Sequence, residues 1–183
     1  EIAQCLVGSE MCIRDRYISE IVDDFNIMNP IDYCNNPTVN LITHRYYEIC
    51  KKNNINFTIS IKNANIDFIK EHDITALLDN LLENAVESAL MTNEKFIDFS
   101  ISTRNSNFVI IKISNSCNKK PKYIDGTLVS SKSTSGMHGI GTRSIKRVVE
   151  KYNGNLEMKF DNDTKTFTSV IGINSNLPSN NQS

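Results

Sequence analysis

The sequence predicts an α+β two-layer sandwich, with a mixed, largely antiparallel sheet of about five strands and three main helices on one face. Two patterns predict it. From Asp73 to Leu90 the apolar residues Ile74, Leu77, Leu78, Leu81, Leu82, Ala85, Val86 and Ala89 recur at i, i+3, i+4 and i+7, the spacing of a helix with one buried face. Around this segment lie five runs rich in β-branched and aromatic residues, at 57–61, 97–103, 108–114, 156–160 and 167–173. Two pairs of these runs are joined by short polar turns, Asn105-Ser106-Asn107 and Asp161-Asn162-Asp163, as hairpins are. Neighbouring hairpins with helices between them argue against a doubly wound parallel sheet, in which strand and helix alternate.

The chain begins at Glu1 rather than at methionine and is expected to be a fragment or a processed product. Residues 1–16 resemble translated sequencing-adapter sequence and are read as a non-native or linker segment, and 17–35 as a linker. The folded domain is expected over 36–173. Its first helix is signalled by Asn36 as N-cap and Pro37 at the first helical position. An apolar face of Val39, Leu41, Ile42, Tyr46 and Ile49 follows, and the helix ends near Lys52, before Asn53-Asn54. The second helix takes Asp73 as its N-cap. The third starts after Gly141 and runs from Arg143 to Tyr152, where Asn153-Gly154 supplies a left-handed stop. The polar tail 174–183 holds too little apolar surface to pack and is expected to be disordered.

Composition narrows the function. With 183 residues, 39% hydrophobic and 22% charged, the chain can bury one core of its own. A formal net charge of -1 gives no broad attraction to nucleic acid or to an anionic membrane, so any anion site must be local. The five cysteines (Cys5, Cys12, Cys34, Cys50 and Cys117) show no CxxC pair or Cys/His cluster and read as reduced thiols. No apolar run approaches the roughly 20 residues that cross a bilayer.

Candidate chemistry lies in three places. On the second helix Asn80, Asn84 and Glu87 fall at i, i+4 and i+7, one stripe beside the apolar face, where they either line a cleft or form a solvated surface. Asn84 stands out because a neutral amide oxygen can ligate Mg2+ while the ion keeps waters and phosphate oxygens as its other ligands. The second place is Ser130 to Ser144, a polar, glycine-punctuated stretch that runs into a helix start. Glycine lets backbone amides approach an anion, and a helix start presents unpaired N–H groups, so the expected ligand is a phosphate chain; the other reading is a flexible loop. Lys132, His138 and Arg143 add cationic donors. Neither a Walker A loop nor a Rossmann fingerprint is present. The third place is Asn115, at the end of a strand, which could present an acceptor and a donor to an adenine edge or simply form a turn.

Taken in order, the helix Asp79-Asn-Leu-Leu-Glu-Asn-Ala-Val-Glu87, the strand end Ile113-Ser-Asn-Ser116 and the loop Ser131-Lys-Ser-Thr-Ser-Gly-Met-His-Gly-Ile-Gly-Thr-Arg143 resemble the gyrase, chaperone, histidine-kinase and MutL (GHKL) ATPases. The resemblance spans about Asn36 to Ile173 and is nearest to the kinase domains of peptide-pheromone (quorum-sensing) receptors. It implies a Bergerat-type ATP-binding fold with ATP and Mg2+ as ligands. By motif position, Asn84 would hold the metal, with Asn80 and Glu87 beside the phosphates. Gly139, Ile140 and Gly141 would offer amides, followed by Thr142 and Arg143, while Lys132 and His138 would sit in a lid over 117–137. Asn115 would contact adenine. Asn80 and Asn84 would be the catalytic pair. The segment 17–35 would lead from dimerisation helices outside the chain.

Two departures bear on the reaction. Most members carry Asp-x-Gly-x-Gly after the strand, where this chain has Asn115-Ser116-Cys117-Asn118; the pheromone-receptor subgroup also tends to have asparagine there. Members that hydrolyse ATP place a glutamate one turn before the metal-binding asparagine, where this chain has Asn80, as kinases do. Glu83 cannot easily replace it, because adjacent helix positions differ by about 100°. The resemblance therefore implies phosphoryl transfer to a histidine on the dimerisation helices of the same receptor, a homodimer at the inner face of the plasma membrane, with a response regulator downstream. His44, His72 and His138 do not lie in such a helix, and His72-Asp73 merely opens the second helix. Two other readings are a nucleotide-binding docking module without transfer and an anti-sigma-factor-type serine kinase.

Overall fold

The computed structural model describes residues 33–62, 64–105, 107–118, 122–124, 127–129 and 140–176. Helix α1 (Pro37–Lys52) starts as its sequence dictates: the Asn36 side chain accepts a hydrogen bond from the Val39 amide at 3.1 Å, and Pro37 fills the first helical position. It stops in a Schellman motif. Asn54 takes a left-handed φ of 54°, Ile55 N–H donates to Cys50 C=O, and Asn54 N–H to Lys51 C=O. The buried face is Val39, Ile42, Thr43, Tyr46 and Cys50. Leu41, expected on that face, is 52% exposed, because it lies one 100° step off the stripe that Ile42 and Tyr46 define.

Strand β1 (Asn56–Lys62) leads to helix α2 (Glu71–Leu90), the long central helix, and then to β2 (Phe96–Arg104) and β3 (Phe108–Ser116). A short antiparallel ribbon, β4 (Lys122–Ile124) with β5 (Thr127–Val129), lies within the stretch read as a lid. Helix α3 (Ile140–Lys151) and the hairpin of β6 (Asn155–Asp161) and β7 (Thr166–Asn174) complete the domain. The main sheet has five strands in the order β1-β2-β3-β7-β6; β1 and β2 are parallel and every other pair is antiparallel. The expected α+β layering is what the structure shows.

Alternation along the strands decides which face is covered. Val109, Ile111 and Ile113 of β3, Ile97, Phe99 and Ile101 of β2, and Ile171 and Ile173 of β7 point to one side and are buried there. Helix α1 packs over β1, α2 over β2 and β3, and α3 over β6, with α2 between the other two helices. The opposite face carries residues such as Thr58, Asp98, Lys112, Thr168 and Lys159. A shallow depression of about 460 Å³ there, lined by Lys112, Glu157, Lys159 and Thr168 among others, lies across the sheet from the helices.

Two helix ends differ from the expectation. Asp73 is not the N-cap of α2: the cap is Lys70, whose side chain makes no capping bond, and Asp73 stands three positions into the helix. An acidic residue is favoured anywhere in a first turn, so a cap and a third-position aspartate look alike in sequence. The start of α3 lies at Ile140, so Gly141 and Thr142 are inside the helix rather than before it. At its other end Asn153, with φ 50°, takes the left-handed position; Gly154 N–H donates to Val149 C=O and Asn153 N–H to Glu150 C=O, again a Schellman motif. Gly154 is required for a different reason, since a Cβ there would meet Gly172 O at 2.9 Å and Ile173 Cγ1 at 2.9 Å.

Candidate functional site

Helix α2 places Asn80, Asn84 and Glu87 on one half-buried stripe next to the fully buried Leu77, Leu81 and Ala85. The Asn80 amide is oriented at both ends. Its Nδ2 donates to Ala76 C=O at 2.6 Å, one turn back, and its Oδ1 lies against the start of α3, 2.8 Å from where a Cβ on Gly141 would stand. A side chain at Gly141 would oblige the Asn80 amide to turn. The two stretches singled out in the sequence, the α2 stripe and the glycine-led helix start, therefore form one wall.

At that wall α3 begins. The first four N–H groups of a helix have no acceptor within it, so the amides of Ile140, Gly141, Thr142 and Arg143 are the ones a helix start leaves for an outside partner. Thr142 is buried at 4% exposure, whereas Arg143 points to solvent. Lys132, His138 and Gly139 lie outside the described residues.

Asn115 sits on the helix-facing side of β3, paired with Ile97 and Phe167 and 2% exposed. Its Nδ2 donates to Ser116 C=O at 2.9 Å, and the same carbonyl accepts from Ser88 Oγ at 3.2 Å. Ser88 is one turn beyond Asn84 on α2, so the end of β3 is tied to the far end of the asparagine stripe. Thr92 Oγ1 and Ser116 Oγ, 2.9 Å apart, add to this junction. Asparagine is expected to offer both donor and acceptor to an adenine edge; here one of its two amide N–H donors is used within the chain.

Sequence reasoning missed the residues that hold α2 in place. Arg45 of α1 pairs with Asp79, its guanidinium carbon lies 4.9 Å from the Tyr46 ring centroid, and Tyr46 donates its hydroxyl to Asp79 C=O at 3.1 Å. Tyr46 was counted only for its apolar ring. The polar tip was the unused signal, since a buried tyrosine hydroxyl normally finds a partner. Burial raises its pKa above the ordinary phenol value, with the Asp79 carboxylate adding to the effect.

Among the described residues no three His, Cys, Asp or Glu side chains gather as a metal cage, and no helix is long and apolar enough to cross a membrane. A divalent ion here would draw on amide oxygens of α2 together with oxygens of its own ligand, the donor type that suits a hard cation.

Residues 69–173 match the GHKL domain family. The chain belongs to this family. The GHKL domain is 29% identical over 112 residues to the probable C4-dicarboxylate sensor kinase of Bacillus subtilis (strain 168), a match covering 57% of this chain and 20% of that protein. The chain thus spans about a fifth of the length of that relative. Its fold is that of the nucleotide-free catalytic domain of histidine kinase ThkA, with a TM-score of 0.58 at 18% identity over 77% of this chain and 92% of the other. The mycobacterial sensor histidine kinase MprB is similar in the same way, with a TM-score of 0.54 at 13% identity over 74% and 95% of the two chains.

Proposed function

We propose that this GHKL domain is the Mg-ATP-binding catalytic domain of a two-component sensor histidine kinase, which passes the γ-phosphate of ATP to a histidine on a dimerisation helix of the same receptor. The observation that carries the reading is the seating of Gly141 on the Asn80 amide, which joins a stripe of amide side chains to the first amides of a helix. Such a wall offers an anion donors on one side and a hard cation oxygen ligands on the other.

In this reading the backbone N–H groups of Gly139, Ile140 and Gly141 bind phosphate oxygens, and Thr142, Arg143, Lys132 and His138 complete the phosphate surroundings. Asn84 holds Mg2+ through its amide oxygen, with Asn80 and Glu87 on the same stripe. Bound there, Mg2+ would neutralise charge on the transferring phosphoryl group. Asn115 meets adenine from the end of β3 through its carbonyl, its Nδ2 being engaged by Ser116. Phosphoryl transfer asks a protein mainly for positioning and charge neutralisation, which amides and an ion supply.

The partners follow from the same reading: dimerisation helices of its own homodimeric receptor, a response regulator downstream, and a plasma-membrane tether through sensor segments. Asn115 in place of the usual aspartate favours the peptide-pheromone (quorum-sensing) subgroup. Titration calorimetry of the chain with a non-hydrolysable ATP analogue, with and without Mg2+, tests the proposal. Metal-dependent binding is expected. Absence of binding in both conditions would overturn the proposal and leave a degenerate docking module as the better account.

A further inference from the structure

Helices α2 and α3 run antiparallel and meet at two polar points. One is the contact of Asn80 with Gly141. The other is seven residues nearer the start of α2, where Asp73 lies at 7% exposure. Its Oδ2 accepts from Lys151 Nζ at 2.6 Å and from the Tyr152 hydroxyl at 2.7 Å. That hydroxyl accepts in turn from the Lys70 backbone N–H at 2.9 Å, at the first residue before α2. Tyr152 is 3% exposed, with the Phe68 ring edge-on at 6.2 Å, so the hydroxyl has little freedom to move.

Between the two points α3 offers α2 and the sheet an apolar face of Ile145, Val148 and Val149. Apolar burial is non-directional and resists small sliding or rocking only weakly, whereas hydrogen bonds fix distance and angle. The register of α3 along α2 is therefore set at its polar ends. A buried carboxylate with two donors also adds little net stability over an apolar replacement, so its contribution is better sought in geometry.

We propose that Asp73, acting through Lys151 and Tyr152, is a positioning residue that sets how the first amides of α3 lie beside Asn80. The inference rests on reading those amides and that asparagine as one wall of the nucleotide site. At about 1.5 Å per residue the two points stand roughly 10 Å apart along α2, so Asp73 acts on the site without touching it.

The test uses the isotope-labelled full chain without nucleotide, comparing native protein with Tyr152→Phe, Asp73→Asn and, as a control elsewhere in the core, Ile171→Val. The backbone amide resonances of Gly141 and Thr142 and the side-chain amide of Asn80 are expected to move in the first two variants and to stay in the third. Affinity for an Mg-ATP analogue is expected to fall about 3- to 10-fold in the same two variants. Should Asp73→Asn fail to fold, Tyr152→Phe carries the test, since it removes only a hydroxyl. Shifts confined to residues 68–73 and 148–154, or an unchanged affinity despite a moved Gly141, would overturn the proposal. Native protein that binds no nucleotide would instead overturn the functional reading, while the Gly141 resonance still decides whether Asp73 sets the register.

Discussion

Replacing Gly141 with alanine puts a methyl group 2.8 Å from Asn80 Oδ1 and 3.6 Å from its Cγ. That is well inside the roughly 3.5 Å at which non-bonded heavy atoms attract. The far end of α3 is tied to Asp73 through Lys151 and Tyr152, so the amide of Asn80 is the part that must turn. A rotation of about 30° away from its rotamer costs roughly 0.5–1.5 kcal/mol. Losing the bond from Nδ2 to Ala76 C=O adds about 0.5–1.5 kcal/mol. Against this, alanine in place of glycine favours a helix by at most about 1 kcal/mol. Stability should therefore fall by roughly 0–2.5 kcal/mol, at most about 10 °C in melting temperature. Nucleotide binding should fall as well: if it needs Asn80 in its native orientation, binding must bring back the methyl contact that the turned amide avoids, and every ~1.4 kcal/mol of that penalty is a tenfold loss of affinity. Calorimetry and thermal unfolding of Gly141→Ala measure the two terms separately. In an Asn80→Ala background the same substitution should cost less than about threefold, because the clash is gone. Native affinity in the single variant would refute the reasoning, and so would full additivity in the double one.

Asn84→Ala should abolish the Mg2+-dependent part of nucleotide binding while leaving the folding stability within about 1 kcal/mol of native, as expected for a half-buried polar helix position; calorimetry with and without Mg2+ and thermal unfolding read the two effects directly. Asp73→Asn should destabilise the fold by about 1.5 kcal/mol, the low end for hydrogen bonds to a charged group because Lys151 keeps some solvent access. Burial pushes the Asp73 carboxyl up, but the hydrogen bonds of Lys151 and Tyr152, with the Lys151 and His72 charges, outweigh it and hold it below the usual carboxylate range. Its contribution is therefore full above the unfolded value near 3.8 and is lost as pH falls through the folded value, so denaturant midpoints of native and variant should converge in acid. Gly154→Ala should cost about 1–3 kcal/mol by thermal unfolding, because its Cβ meets the Gly172 carbonyl, which cannot swing aside.

What the sequence made legible follows from which physical terms are local. The apolar period of α2, the Asn36 cap and both hairpin turns are written in neighbouring residues, and each is present. Strand partnership is not local. Alternation says which face of β7 is buried but not that β7 lies between β3 and β6, nor that β1 pairs in parallel with β2. Asp73 shows the same limit on a smaller scale: its position near a helix start was visible, whereas its partners Lys151 and Tyr152 come from 78 and 79 residues away. In the candidate site, motif order brought Asn80 and Gly141 under suspicion separately. Their contact, and the engagement of Asn115 by Ser116, depend on side-chain directions that no spacing encodes.

The contact also gives Asn80 a role that a carboxylate could not easily take over. Hydrolysing relatives of the kind the sequence resembles would hold a glutamate at this position to polarise water. Here the side chain donates backward to Ala76 C=O and turns its oxygen to the Gly141 backbone. A deprotonated glutamate has no donor for Ala76 and is one methylene longer, so it would press into the start of α3. The same α3 start is fixed by Asp73 about 10 Å away, which leaves it little room to retreat. If the site transfers phosphoryl groups as proposed, converting it to hydrolysis would ask for a shift of α3 as well as a new base.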